Sequence, residues 1–113
     1  MVTIGKLKSF GANTEEGLAR CMKNEALYLR LVGIMPADPN FDRLKNTIEA
    51  GDLGGAFEAA HALKGVLGNL SLTPIFDPVV VITEELRART AKDYTEEVAL
   101  ILAKRDELKA ICT

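Results

Sequence analysis

The chain has 113 residues, of which 48% are hydrophobic and 27% charged, a balance that excludes collagen-like, disordered and disulfide-scaffold proteins. Fourteen lysines and arginines oppose sixteen aspartates and glutamates, and the net charge of -2 disfavours nonspecific nucleic-acid binding, which needs a basic surface. This length and even composition predict a single domain over residues 1–113, with a core that needs no disulfide or metal.

The first predicted helix extends from about residue 14 to Ile34. Asn13 or Thr14 can cap its N-terminus, and Asn13 and Glu16 have the spacing of a capping box. Residues 35–39 then predict a turn, because two prolines fall within five positions.

Two further helices are predicted between residues 38 and 70. Asp38 can cap the second helix with Pro39 at its first position, and Gly51 offers a C-terminal stop. Asp52 can cap the third helix, which we expect to reach about Leu70.

The last two predicted helices follow a break at residues 71–74. The fourth should cover about Ile75 to Arg89, and Pro78 predicts a kink or loose turn before its regular part. The β-branched run at 79–82 would also suit a strand, but no other strand is available to pair with it. Asp93 begins the last helix. The sequence therefore predicts an all-α bundle of four or five antiparallel helices.

The third predicted helix has an apolar side and a side that carries the only histidine of the chain. At about 100° per residue, Lys64, Gly65 and Gly68 lie within about 60° of His61. The apolar stripe lies opposite and must face the core, so His61 is predicted to be exposed. That stripe consists of Ala56, Ala59, Leu63, Val66, Leu67 and Leu70.

The residues around His61 point to chemistry at its ring. Glycine inside a helix lowers stability by about 0.5–1 kcal/mol relative to alanine. Neither Gly65 nor Gly68 lies on the core side, so packing does not require them. We therefore interpret both glycines as clearing space around the imidazole. Lys64, one turn away, can stabilise an anion on the ring nitrogen. Phe57 shares this side, either as an exposed docking residue or folded toward a neighbouring helix. The combination suits phosphoryl exchange between His61 and a partner protein.

Each of these features alone has an ordinary structural explanation. A lone histidine is usually an unremarkable surface or core residue, and a lysine three positions later is common on exposed helices. Two glycines can mark a close approach between helices, although their position opposite the apolar stripe argues against it. The combination is much rarer than its parts.

The segment at 60–70, AHALKGVLGNL, closely resembles the signature of histidine-containing phosphotransfer (HPt) domains: a histidine followed by Leu, Lys and Gly at the second, third and fourth positions. The segments at 11–20 and 25–28 resemble the opening helix of bacterial members, and the similarity extends from about Phe10 to Ile111. Two residues depart from the family pattern. Ser71 stands where many members have glycine, and Pro78 interrupts the following helix.

This resemblance implies an antiparallel four-helix bundle with an additional short N-terminal helix. It implies that His61 accepts a phosphoryl group from the aspartate of a receiver domain or hybrid sensor kinase and passes it to another response-regulator receiver. Lys64 would steady the phosphoryl group. No cofactor is expected on the chain itself, and Mg²⁺ is expected on the partner receiver. The expected docking residues are Gly65, Gly68, Phe57 and Asn69.

We therefore expect a monomeric phosphocarrier and not an enzyme in its own right, since no Walker motif and no kinase-like ATP lid occurs. The alternative is an interaction module that binds receivers without exchanging phosphate. An independent enzyme is a weaker alternative, because one histidine offers no metal constellation and no nucleophile–base pair. Cys21 and Cys112 are expected to be reduced and packed in or near the core. With no signal peptide or membrane-spanning stretch in view, we expect a cytoplasmic protein.

Overall fold

The computed structural model describes all residues from 1 to 113 and contains helices and turns but no strand, which confirms the prediction of an all-α fold. Seven α-helices occur along the chain. They are α1 (Ile4–Phe10), α2 (Thr14–Arg20), α3 (Glu25–Ile34), α4 (Asn40–Glu49), α5 (Leu53–Asn69), α6 (Thr73–Arg87) and α7 (Thr95–Cys112), with a short 3-10 turn at Met35–Ala37 between α3 and α4.

The four helices α4 to α7 form the bundle. Helix α5 packs mainly against α4 and α6, and α7 closes the bundle through contacts with both α4 and α6. Short turns join these helices in sequence, as is typical of antiparallel neighbours. The three N-terminal helices pack outside this unit, where α1 and α3 both contact α7. The position of α5 between two neighbours leaves one of its sides free.

The N-terminal region differs from the prediction, because the expected long helix from residue 14 to Ile34 is broken in two. Met22 and Lys23 have positive φ angles of 58° and 60°, which end α2 and reverse the chain. Asn24 then caps α3, its side-chain oxygen accepting a hydrogen bond from the backbone N–H of Leu27 at 3.0 Å. The prediction of one continuous helix was therefore wrong.

The predicted N-terminal caps of α2 and α5 are present, but the cap predicted for α4 is not. Asn13 Oδ1 accepts a hydrogen bond from the backbone N–H of Glu16 at 3.2 Å. Asp52 Oδ1 accepts one from the backbone N–H of Gly55 at 2.9 Å, which confirms the predicted start of α5. Asp38 accepts one at 2.8 Å from the first residue of α4, so that helix begins one residue later than predicted.

Helix α6 begins earlier than predicted and continues through Pro78, so the expectation that regular helix starts near that proline was wrong. Pro74 lies in the first turn, where a missing N–H costs nothing. Ile75 and Val79 are fully buried on either side of the break in the hydrogen-bond ladder. Their packing against the core holds the helix together where Pro78 removes one backbone donor.

Helices α5 and α6 are each followed, two positions after their last residue, by a residue with left-handed backbone geometry. Ser71 follows α5 with φ 53°, and Arg89 follows α6 with φ 55°. The N–H of the next residue donates to a carbonyl in the last turn of each helix, at 3.1 Å and 3.0 Å respectively. This arrangement is a Schellman motif, in which glycine is the usual left-handed residue. It ends α6 at Arg87, two residues before the predicted end.

The core contains most of the apolar stripe predicted for α5, and five of its six residues are buried: Ala56, Ala59, Leu63, Leu67 and Leu70. Val66 is the exception at 41% exposure. It lies at the edge of the stripe, and Ala60 at the other edge is buried instead. The core side is therefore rotated slightly toward Ala60 relative to the prediction.

Both cysteines are free, Cys21 buried and Cys112 half-buried. None of the seven helices is both long and apolar enough to cross a membrane.

Candidate functional site

His61 lies on the free side of α5, and its side chain is exposed, as predicted from the helical period. The neighbouring inward residues Ala60 and Leu63 are completely buried and fix the rotation of the helix. None of the surface grooves is lined by His61. The imidazole therefore stands on open surface, whereas a small-molecule substrate is usually enclosed by a pocket.

The two glycines beside His61 have different surroundings. A Cβ atom built on Gly65 would meet nothing within 4 Å, so this position opens directly to solvent. A Cβ atom on Gly68 would lie 3.0 Å from Cε1 of Phe76 on α6. The argument that neither glycine marks a close approach between helices was therefore wrong for Gly68, whose missing side chain makes room for Phe76 on α6.

A polar groove of about 410 Å³ lies between α2, α5 and α6 and borders both glycines. Asn69 lines this groove and also a more apolar groove of about 380 Å³ on the other flank of α5, whose lining includes Leu31, Ile34 and Val66. Ile34 is 64% exposed at the edge of the apolar groove. Asn69, a predicted docking residue, thus lies on exposed surface between two grooves.

Lys64 lies on the α6 side of His61. Its Nζ atom is 3.9 Å from Oε1 of Glu84, and Nε of Arg87 is 3.3 Å from the other carboxylate oxygen of the same residue. Ion pairs between partly exposed side chains contribute little free energy, and the Lys64 contact is longer than a hydrogen bond. Lys64 can therefore leave Glu84 at small cost when a stronger anion forms nearby.

Phe57 lies one turn before His61, and the two rings are stacked, with centroids 5.6 Å apart and planes inclined by 18°. The guanidinium carbons of Arg87 and Arg89 lie over the Phe57 ring, 5.0 Å and 5.4 Å from its centroid. Phe57 is half-buried against the core. Of the two predictions for this residue, the structure therefore shows the one in which it packs toward a neighbouring helix.

Arg87 and Arg89 were not predicted to lie near His61. The turn at 70–72 makes α5 and α6 antiparallel, which places the last turn of α6 beside the first turns of α5. The signal in the sequence was a basic residue in that last turn and a second one two positions beyond it. Together with Lys64 they place three cations along the α6 flank of the histidine side, where Glu84 is paired with two of them.

The chemistry available at this surface is simple. One imidazole nitrogen can act as a nucleophile, and the nearby cations can stabilise a negative charge attached to it. No group of three or more His, Cys, Asp or Glu side chains is placed to hold a metal ion.

Comparison with known protein families gives a match to the Hpt domain over residues 34–112, more than half of the chain. The matched region contains α4 to α7, the four helices of the bundle, and includes His61. Searches of curated proteins and of solved structures return no significant match. The family match confirms the resemblance inferred from residues 60–70.

Proposed function

Because the chain belongs to the Hpt domain family, whose members are phosphocarrier modules of phosphorelay signalling, we propose that His61 is the residue that carries the phosphoryl group. The observation that supports this most strongly is an exposed imidazole at the middle of the bundle beside Gly65, where an added Cβ atom would meet nothing within 4 Å. A partner protein can reach the ring there without displacing side chains.

The proposed reaction is exchange with the aspartyl phosphate of a receiver domain. A nitrogen of His61 forms a bond to phosphorus as the bond between phosphorus and the aspartate oxygen breaks, and the carboxylate returns to the receiver. The reverse steps with a second receiver pass the group on. Phosphoryl transfer needs alignment and charge neutralisation more than covalent machinery, so an open surface and a few cations suffice on this side.

Lys64 is proposed to neutralise part of the charge on the phosphoryl group. It is held only loosely by Glu84 at 3.9 Å, whereas a phosphoryl group on His61 would carry about two negative charges. The ammonium would therefore move from the carboxylate to the phosphoryl oxygens. The receiver is proposed to bring Mg²⁺ together with its aspartate, because this chain has no cluster of ligands for a metal ion.

The partners of this reaction are proposed to be response-regulator receivers and a hybrid sensor kinase, which would place the chain in the cytoplasm with them. A receiver docking over His61 would cover Gly65 and Asn69, both exposed on the same helix. We propose that the carrier acts as a monomer, because this surface must remain free for alternating partners.

The proposal is tested by incubating the chain with a receiver carrying ³²P-labelled aspartyl phosphate. The expected product is an acid-labile, base-stable label on the chain, which His61→Gln abolishes without unfolding the protein. A second unlabelled receiver should then take the label up. Label that persists in the folded His61→Gln variant would refute the assignment. Binding without any transfer of label would instead support the alternative, a receiver-binding module.

A further inference from the structure

The imidazole of His61 is exposed, yet it is not free of contacts within its own helix. Phe57 and His61 are four positions apart, so their side chains meet on one face of α5. Their rings stack with a centroid separation of 5.6 Å and an interplanar angle of 18°. An exposed side chain without such a contact exchanges between rotamers on the nanosecond scale. The stacking therefore favours one orientation of the imidazole.

Two arginine side chains from the end of the neighbouring helix hold Phe57 in place. The guanidinium groups of Arg87 and Arg89 lie over its ring at 5.0 Å and 5.4 Å, a favourable arrangement of cations on an aromatic face. Phe57 also packs against the core through its half-buried ring. It is thus a fixed surface against which the exposed imidazole rests.

Arg89 occupies a position where glycine would be less strained. Its φ of 55° is the left-handed geometry of a helix C-terminus, which most residues avoid. Its guanidinium donates a hydrogen bond to the carbonyl of Leu86 and at the same time covers Phe57. Four residues other than glycine have a positive φ in this chain, and Arg89 is the one among them that reaches the ring beside His61.

We propose that Phe57 is a positioning residue that orients the imidazole of His61 for phosphoryl exchange, and that Arg87 and Arg89 hold Phe57 in place. This inference rests on the proposed role of His61 as phosphoryl acceptor. In-line transfer requires the nitrogen lone pair to point at phosphorus along the bond that breaks. The rate then depends on the fraction of molecules whose imidazole already has that orientation.

The first test compares Phe57→Leu, which keeps an apolar side chain but loses the ring, with Phe57→Tyr, which keeps the ring. From the usual strength of aromatic stacking, Phe57→Leu should lower the transfer rate at saturating receiver by about three- to ten-fold. The receiver concentration that gives half the maximal rate should stay the same. Phe57→Tyr should restore the wild-type rate.

The second test reads the orientation directly. His61 is the only histidine, so its ring protons give isolated resonances in an NMR spectrum, and the ring current of a stacked phenylalanine displaces them. Phe57→Leu should return these resonances to the values of a free imidazole, while Phe57→Tyr should not. Should Phe57→Leu fail to fold, the double variant Arg87→Gln/Arg89→Gln, which alters exposed residues only, should give a smaller change in the same direction.

Arg105→Gln is the matched control, because Arg105 on α7 also lies over a phenylalanine, 5.5 Å from the Phe41 ring centroid. It should change neither the transfer rate nor the histidine resonances. An unchanged maximal rate in folded Phe57→Leu would overturn the proposal. So would an effect confined to the half-saturating receiver concentration, which would make Phe57 a docking residue. Wild-type protein that takes no label on His61 would overturn the proposed function as well, whereas the other results affect only the role of Phe57.

Discussion

The two sides of α5 carry opposite constraints within one continuous helix. On the inner side, Leu63 and Leu67 are fully buried between neighbouring helices. On the outer side, His61 is exposed and Gly65 has open space around it. Packing against neighbouring helices determines the residues of the inner side, whereas access for another molecule explains the residues of the outer side. Stability and function can therefore be changed separately by substitutions only two residues apart.

The largest expected difference is between Leu63→Ala and His61→Gln. Removing the buried leucine side chain should lower the free energy of unfolding by about 2–5 kcal/mol, because a cavity replaces packed atoms. His61→Gln should change it by no more than about 1 kcal/mol, since the residue is exposed and loses only its stacking on Phe57. Urea unfolding measures both values. A large loss of stability in His61→Gln would show that the two sides are not independent.

Tyr28 is buried at the end of the inner side of α5, and loss of the proton from its hydroxyl should lower the stability at alkaline pH. Its hydroxyl donates a buried hydrogen bond of 2.9 Å to the carbonyl of Leu70 at the end of α5. Burial, and to a lesser extent the charge of Cys21, raises the pKa of Tyr28 to about 12 from an ordinary value of 10.0. The folded state therefore holds this proton more tightly than the unfolded state.

The stabilisation linked to that proton is fully present below pH 10 and is lost as the pH rises through 12. The loss should amount to about 2–3 kcal/mol. Urea unfolding of wild type and Tyr28→Phe between pH 9 and 12 measures it, with the difference between the two proteins narrowing at the alkaline end. Parallel curves over the whole range would contradict this account.

Replacing each of the two glycines of the outer side by alanine should distinguish a glycine with open space around it from one that packs against a neighbouring helix. Gly65→Ala should raise the free energy of unfolding by about 0.5–1 kcal/mol, because alanine favours helix and meets no neighbour. Gly68→Ala should gain less or lose stability, because its Cβ would come within 3.0 Å of Phe76. Equal gains at both positions would show that Phe76 moves aside freely.

A bulkier side chain at Gly65 tests access to the ring. Gly65→Gln should keep or raise stability, since glutamine is also a better helix former than glycine. It should slow phosphoryl exchange, because its side chain would occupy the space that a receiver needs. Stopped-flow transfer assays and urea unfolding on the same sample measure both effects. A fall in stability equal to the fall in rate would assign this glycine a structural role.

The smallest expected effect is that of Ser71→Gly, where the inner and outer sides meet at the end of α5. Glycine accepts the φ of 53° without strain but loses more entropy on folding, so the net gain should be about 0.5 kcal/mol. Differential scanning calorimetry would detect it as a slightly higher unfolding temperature. A lower temperature would mean that the buried hydroxyl of Ser71 contributes to the fold.

Much of α5 could be predicted from the sequence, because its helical period alone separates Leu63 from His61. Its start at Asp52 followed from the preference of aspartate for N-caps. The same local rules explain why a glycine is usual at the position of Ser71, where the backbone is left-handed. These features depend on residues close together in the chain.

Features that depend on distant residues could not be predicted in this way. The break between α2 and α3 brings Gly17 against Tyr28, where a Cβ atom would lie only 2.5 Å from the ring. The stacking of Arg89 on Phe57 requires the antiparallel register of α5 and α6. Pro78 is tolerated because buried neighbours compensate for its missing donor. Each is decided by tertiary packing, which a local pattern does not contain.

The most direct measurement of the central claim uses the single histidine of the chain. With ¹⁵N in the histidine rings, only the imidazole of His61 is observed, and phosphorylation by a receiver should produce a phosphorus–nitrogen coupling at one of its ring nitrogens. The account predicts that this coupling appears in proportion to the phosphate incorporated and disappears when a second receiver is added. Phosphate bound to the chain while both ring nitrogens keep their original resonances would contradict it.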